Sequence, residues 1–157
     1  MKVVVASDHA GYEVKEKIKK ILDDMNLTYE DLGTDSTEAV DYPDFAARVA
    51  TAVSEGQADR GVLVCGTGIG VSIAANKYRG VRAALCHNAE TARLSREHND
   101  ANVLAVGART TPLEDIDAAV RTFFTTEFAG GRHARRVEKI NQIEENNGLS
   151  TNAENMS

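Results

Sequence analysis

The chain has 157 residues, enough for a single domain with a full core. Charged residues make up 27% and hydrophobic ones 42%, as in ordinary globular proteins. The net charge of −6 argues against a nucleic-acid partner, although a local basic site is compatible with it.

Short apolar runs alternate with helical periodicities along the chain. Val3 to Ala6 is a strand-like run, and Tyr12 to Met25 places Val14, Ile18, Ile21, Leu22 and Met25 at helical spacing. Leu27 to Leu32 reads as a second strand, and Tyr42 to about Ser54 as a helix ending near Gly56. A third strand, Gly61 to Val64, leads into a helix from about Gly70 to Lys77. Val81 to Leu85 and Asn102 to Val106 are the fourth and fifth strands. Their helices run over Ala89 to Glu97 and Pro112 to Phe124, with Pro112 at a favourable first-turn position. A last helix runs from Arg132 to about Glu145. Residues 1–145 are thus expected to form one domain, followed by a polar, disordered tail over 146–157.

Five βα units imply an α/β fold, a mostly parallel sheet with helices on both faces. With the common strand order 2-1-3-4-5, the ligand crevice lies between strands 1 and 3, at their carboxyl ends. Strand 1 ends in Ser7-Asp-His-Ala-Gly11 and strand 3 in Cys65-Gly-Thr-Gly68, so the two loops richest in chemistry face each other. No apolar stretch is long enough to span a membrane, and Met1-Lys2 leads straight into a strand without a signal-peptide pattern. A cytoplasmic protein is expected, with Cys65 and Cys86 as free thiols.

Glycines stand at every second position in Cys65-Gly66-Thr67-Gly68-Ile69-Gly70, between a strand and a helix start. Such a loop aims several backbone N–H groups at one small anion or oxyanion. A cysteine at its entrance is either a packing residue or a thiolate stabilised by the loop and the helix terminus. The dinucleotide fingerprint needs Gly or Ala where Val71 stands, no Gly-Lys-Ser/Thr closes a Walker loop, and a cysteine phosphatase would carry arginine at position 71. A phosphate site or an oxyanion cradle remains. Asp8-His9 suits either a helix cap or an acid–base or anion-binding pair. His98, closing the fourth helix, is either a dipole partner or a functional imidazole. Arg132 and Arg136 share one helical face and could grip a phosphate, with Arg109 a further cation after strand 5; a solvated charge run is the alternative. The histidines and cysteines form no metal-ligand pattern, and no cofactor is expected.

Together these residues resemble the ribose-5-phosphate isomerase B family, which includes galactose-6-phosphate and allose-6-phosphate isomerases. The resemblance covers residues 2 to 145. It rests on Ser7-Asp-His-Ala-Gly11, Asp41-Tyr-Pro43, Cys65-Gly-Thr-Gly-Ile-Gly70, Ala74-Ala-Asn-Lys77, Ser95-Arg-Glu-His-Asn-Asp100 and Gly130-Gly-Arg-His133 with Arg136. It implies a Rossmann-like three-layer α/β/α sandwich around a five-stranded parallel sheet. It also implies a homodimer or dimer of dimers with shared active sites, and a phosphorylated sugar substrate.

The implied reaction is aldose–ketose isomerisation through a cis-enediol, with Cys65 as the base and Thr67 assisting proton movement. Amides of Gly66, Gly68 and Gly70 would hold the enediolate, while His98, helped by Asp8, would open the furanose ring. By the same resemblance His9, Arg132 and Arg136 would bind phosphate, with Arg109 from a partner chain. Tyr42 and Asn99 would contact sugar hydroxyls, His98 and Asn99 coming from the partner. One subgroup uses a glutamate just after the third glycine in place of the cysteine. Val71 stands there in this chain, which favours the thiol route.

Overall fold

The computed structural model describes residues 1–156, with side chains through Gly148. The elements are β1 (Val3–Ser7), α1 (Tyr12–Asp24), β2 (Tyr29–Asp31), α2 (Tyr42–Ser54), β3 (Arg60–Cys65), α3 (Ile69–Ala75), β4 (Ala83–Leu85), α4 (Ala89–Asn99), β5 (Val103–Gly107), α5 (Leu113–Thr125) and α6 (Arg132–Met156). All strand pairs are parallel. Residues of alternating parity in β1, β3 and β5 enter two separate cores. Val3, Val5, Val62, Val64, Leu104 and Val106 pack toward α1, α4 and α5. Val4, Ala6, Leu63, Cys65, Val103 and Ala105 pack toward α2 and α3. The result is the three-layer α/β/α sandwich.

The strand order is β2-β1-β3-β5-β4, which corrects the expected placing of strand 4 beside strand 3. β5 lies inside, buried at all five positions, whereas the three residues of β4 are only half buried and form the edge. A fully apolar run suits a position covered on both faces. The direction of winding still reverses between β1 and β3, so the expected crevice is kept.

Several element ends differ from expectation because side chains take over backbone partners. β4 starts at Ala83, since Asn102 Oδ1 accepts the Arg82 N–H and Val81 N–H turns back to the Tyr78 carbonyl. β2 starts at Tyr29, since Leu27 N–H still closes α1 on the Leu22 carbonyl. α4 runs on to Asn99 and is ended by Asp100 in the left-handed conformation, φ +48°. Pro112 is the N-cap of α5, just outside the first turn. α6 continues past Glu145, where Glu144 Oε1 accepts the Gly80 N–H. Of the tail expected over 146–157, the side chains from residue 149 onward lie outside the described residues.

Candidate active site

Three loops meet at the carboxyl edge of the sheet. A Cβ built on Gly66 would lie 3.5 Å from the Arg109 side chain and 3.8 Å from Ala10, so the loops after β1, β3 and β5 converge there. The first of these loops is fitted tightly to the sheet. A Cβ on Gly11 would sit 2.6 Å from the Val64 carbonyl oxygen, while Asp8 Oδ1 accepts the Gly11 N–H at 2.9 Å. Asp8 is buried at this edge, directly beside His9.

His9 Nδ1 accepts the backbone N–H of Val40 at 3.1 Å. Only an unprotonated Nδ1 can accept, so in this arrangement the imidazole carries its proton on Nε2. His9 therefore offers a neutral N–H donor rather than a second cation.

Cys65 ends β3 as a free thiol, 4% exposed. The Gly68 N–H donates to its Sγ at 3.1 Å, which aims the loop backbone at the sulfur. Gly68 adopts φ +76°, a left-handed conformation suited to glycine, and thereby turns that N–H inward. Thr67 is exposed beside it, with its Oγ1 accepting the Ile69 N–H at 3.2 Å. The Tyr42 ring lies over the third glycine, where a Cβ on Gly70 would come within 2.6 Å of the ring. Val71 is fully buried among α2 and α3 residues.

His98, Asn99, Arg132 and Arg136 are elsewhere in the chain. In a parallel βα unit the helix returns to the amino edge of the sheet, and α4 delivers His98 and Asn99 to the start of β5. Arg82, just before β4, donates to the carbonyls of Asn99 and Asp100 at that edge. Across β5 this places His98 about 13 Å or more from the carboxyl edge, taking 3.3 Å per residue. α6 starts beside the same helix end: Ala129 N–H donates to the Glu97 carbonyl, and the His98 and His133 rings stack.

The chain thus carries two clusters at opposite edges. One holds Asp8, His9, Tyr42, the Cys65–Gly70 loop and Arg109, and the other His98, Asn99, Arg132, His133 and Arg136. This differs from the expected apportioning, because Arg109 lies against its own chain's glycine loop and the Arg132/Arg136 pair goes with His98.

The second thiol is not part of either cluster. Cys86 follows β4 and faces the core opposite to that of Cys65, where burial pushes its thiol up from the ordinary value. Among the described residues no three His, Cys, Asp or Glu side chains are grouped to hold a metal ion. The sequence assigns no part to His133, which stands in the Gly130-Gly-Arg-His133 run. Its neighbour Arg132 shares a helical face with Arg136, whereas nothing local in the sequence marks a stack across two helices.

The model of the ribose/galactose isomerase family matches residues 3–140. The chain belongs to that family. Its members known by sequence include the ribose-5-phosphate isomerase B of Escherichia coli, 45% identical over 92% of this chain and 97% of that protein. A putative sugar phosphate isomerase of Bacillus subtilis is 47% identical over 94% of this chain and 99% of its own length. Among solved structures, the ribose-5-phosphate isomerase B of Clostridium thermocellum superposes with a TM-score of 0.91 at 51% identity, covering 93% and 99% of the two chains. That of Mycoplasma genitalium, solved with bound ribulose-5-phosphate, gives 0.88 at 42% identity over 92% and 96%. As a member of the ribose/galactose isomerase family the chain is an enzyme, an aldose–ketose isomerase. No helix among its described residues is long and apolar enough to cross a membrane.

Proposed function

We propose that this isomerase interconverts D-ribose 5-phosphate and D-ribulose 5-phosphate through a cis-enediolate, with Cys65 as the base. The observation that carries the reading is the buried thiol at the head of the glycine loop with the Gly68 N–H aimed at its sulfur. The chemical task is to take a weakly acidic C–H proton beside a carbonyl and hold the resulting oxyanion. Cys65 thiolate takes the proton from C2 of the open-chain aldose, and the electron pair moves to make the C1–C2 double bond and an oxyanion at O1. Loop amides from Gly66 to Gly70 meet that oxygen, since donors fixed in advance act most where charge develops. Thr67 assists proton movement between O1 and O2, and Cys65 returns its proton to C1.

Before this, the furanose has to open. His98 gives a proton to the ring oxygen while Asp8 accepts the one on the C1 hydroxyl, so no net proton is consumed. His9, Arg109, Arg132 and Arg136 take the phosphate, and Tyr42 and Asn99 the sugar hydroxyls. Because the two clusters lie at opposite edges of one chain, this assignment needs a second copy, whose His98 cluster completes the Cys65 cluster. The reading is thus of a homodimer or dimer of dimers, acting in the cytoplasm.

The test is isomerisation of D-ribose 5-phosphate by purified protein in EDTA, beside allose 6-phosphate and galactose 6-phosphate. Pentose turnover that persists in EDTA and is lost in Cys65→Ala, with substrate still bound, is the expected result. Hexose turnover alone would keep the mechanism and move the substrate to the hexose branch. Full activity in Cys65→Ala would remove the proposed base.

A further inference from the structure

The His98 and His133 rings lie with centroids 4.2 Å apart and planes 12° from parallel. His98 is on α4 and His133 in the first turn of α6, and both are half-buried. The backbone around His98 is already pinned. Arg96 Nη1 donates to Asp100 Oδ1 at 2.8 Å and to the Ala101 carbonyl at 2.7 Å. Arg82 holds the Asn99 and Asp100 carbonyls, and the Glu97 carbonyl accepts the Ala129 N–H. What remains free at a helix end is the direction of the ring itself, set by two soft side-chain torsions.

We propose that His133 is a positioning residue for His98, its flat ring fixing the direction in which the His98 imidazole presents its nitrogens to the sugar. This rests on the reading of His98 as the residue that opens the ring. An acid of this kind works only within hydrogen-bond reach and in line with the ring oxygen, so a ring free to swing spends little time in the productive pose.

The charges around the stack fit that role. Partial burial, followed by the positive charges of His98, Arg132 and Arg136, holds the His133 imidazole below its ordinary 6.5, with Glu97 acting in the other direction. The His133 ring is thus shifted toward its neutral form. A neutral aromatic ring can lie against an imidazolium, whereas a second cation would repel it. The stack thus avoids setting two like charges face to face.

The experiment compares His98→Asn, His133→Ala and His133→Phe on two substrates. D-ribose 5-phosphate is cyclic, and 4-deoxyribose 5-phosphate lacks the ring oxygen and stays open. His98→Asn should lose turnover of ribose 5-phosphate and spare the 4-deoxy sugar. Equal losses on both would remove the ring-opening reading, and the proposal with it. Given a selective His98→Asn, His133→Ala should show the same selectivity at smaller size. Its kcat on ribose 5-phosphate should fall about 10- to 100-fold, the scale of a misplaced catalytic group. KM should move less than about twofold, because ground-state contacts stay. His133→Phe, which keeps a flat ring, should recover most of the loss. The proposal is overturned if His133→Ala keeps wild-type kcat, loses both substrates equally or raises KM alone as a phosphate ligand would. It is also overturned if His133→Phe is no better than His133→Ala.

Discussion

Gly68 couples the stability of this fold to its chemistry, and replacing it with alanine tests both. Its φ of +76° costs an L residue about 1–2 kcal/mol. A Cβ there would also lie 2.6 Å from Leu85 Cδ1, 2.8 Å from the Val106 carbonyl carbon and 3.0 Å from its oxygen. The leucine tip can yield, but Val106 is backbone of a strand paired on both sides, so the loop has to move instead. Overpacking of this kind costs about 1–3 kcal/mol, making a total of roughly 2–5 kcal/mol. Gly56 supplies the control, because it has the same φ of +76° with nothing within 4 Å of its Cβ position. Gly56→Ala should cost only about 1–2 kcal/mol, the backbone part alone, and leave kcat unchanged. In Gly68→Ala the displaced N–H no longer points at Cys65 Sγ, and loss of one aimed donor lowers kcat by about 10²–10³. Urea unfolding midpoints and steady-state isomerisation of the two variants measure both quantities. If Gly68→Ala unfolds no earlier than Gly56→Ala, or turns over at the wild-type rate, the close-packed, sulfur-directed loop is refuted.

Lys15 is 1% exposed, with Nζ 2.6 and 2.8 Å from the two Asp31 oxygens and 2.6 Å from the Thr34 carbonyl. Lys15→Met should cost about 2–4 kcal/mol in urea unfolding. That is below the usual cost of breaking a buried pair, because Asp31 is part-exposed and keeps Lys19 and the Gly33 N–H. Burial pushes the Asp31 carboxyl up, but the Lys15, Gly33 and Lys19 hydrogen bonds outweigh it and hold the group below its ordinary 3.8. Its stabilisation is therefore present above that unfolded value and lost as pH falls from there through the lower folded value. Asp31→Asn should flatten this acid slope of the urea midpoint; an unchanged slope would place the linkage elsewhere. Arg136→Ala should raise KM by about 10- to 100-fold with kcat nearly unchanged, since a charge-assisted phosphate bond acts in ground and transition states alike. An unmoved KM would take Arg136 out of the phosphate site.

The alternation of five apolar runs with five helical periods was enough to expect a parallel sheet with helices on both faces. The spacing of Gly66, Gly68 and Gly70 after Cys65 was enough to place the glycine loop at its carboxyl edge. Both features are local, written in periodicity and in the backbone freedom of glycine at fixed positions. Alternation also implies that α4 ends at the amino edge, and hence that His98 is remote from Cys65 in one chain.

Other features come from contacts between segments far apart in sequence. These are the place of β5 between β3 and β4, the Val40 N–H that sets the His9 tautomer, the Lys15 clasp on Asp31 and Thr34, and the His98–His133 stack. None leaves a periodic trace. A strand's neighbour and a side chain's partner are chosen by which arrangement buries the most apolar surface while satisfying every polar group it covers. By itself the sequence determined the layers, the crevice and the place of the glycine loop at its rim. The tertiary structure alone decided strand order, tautomer and ring stacking, because those depend on packing across the whole domain.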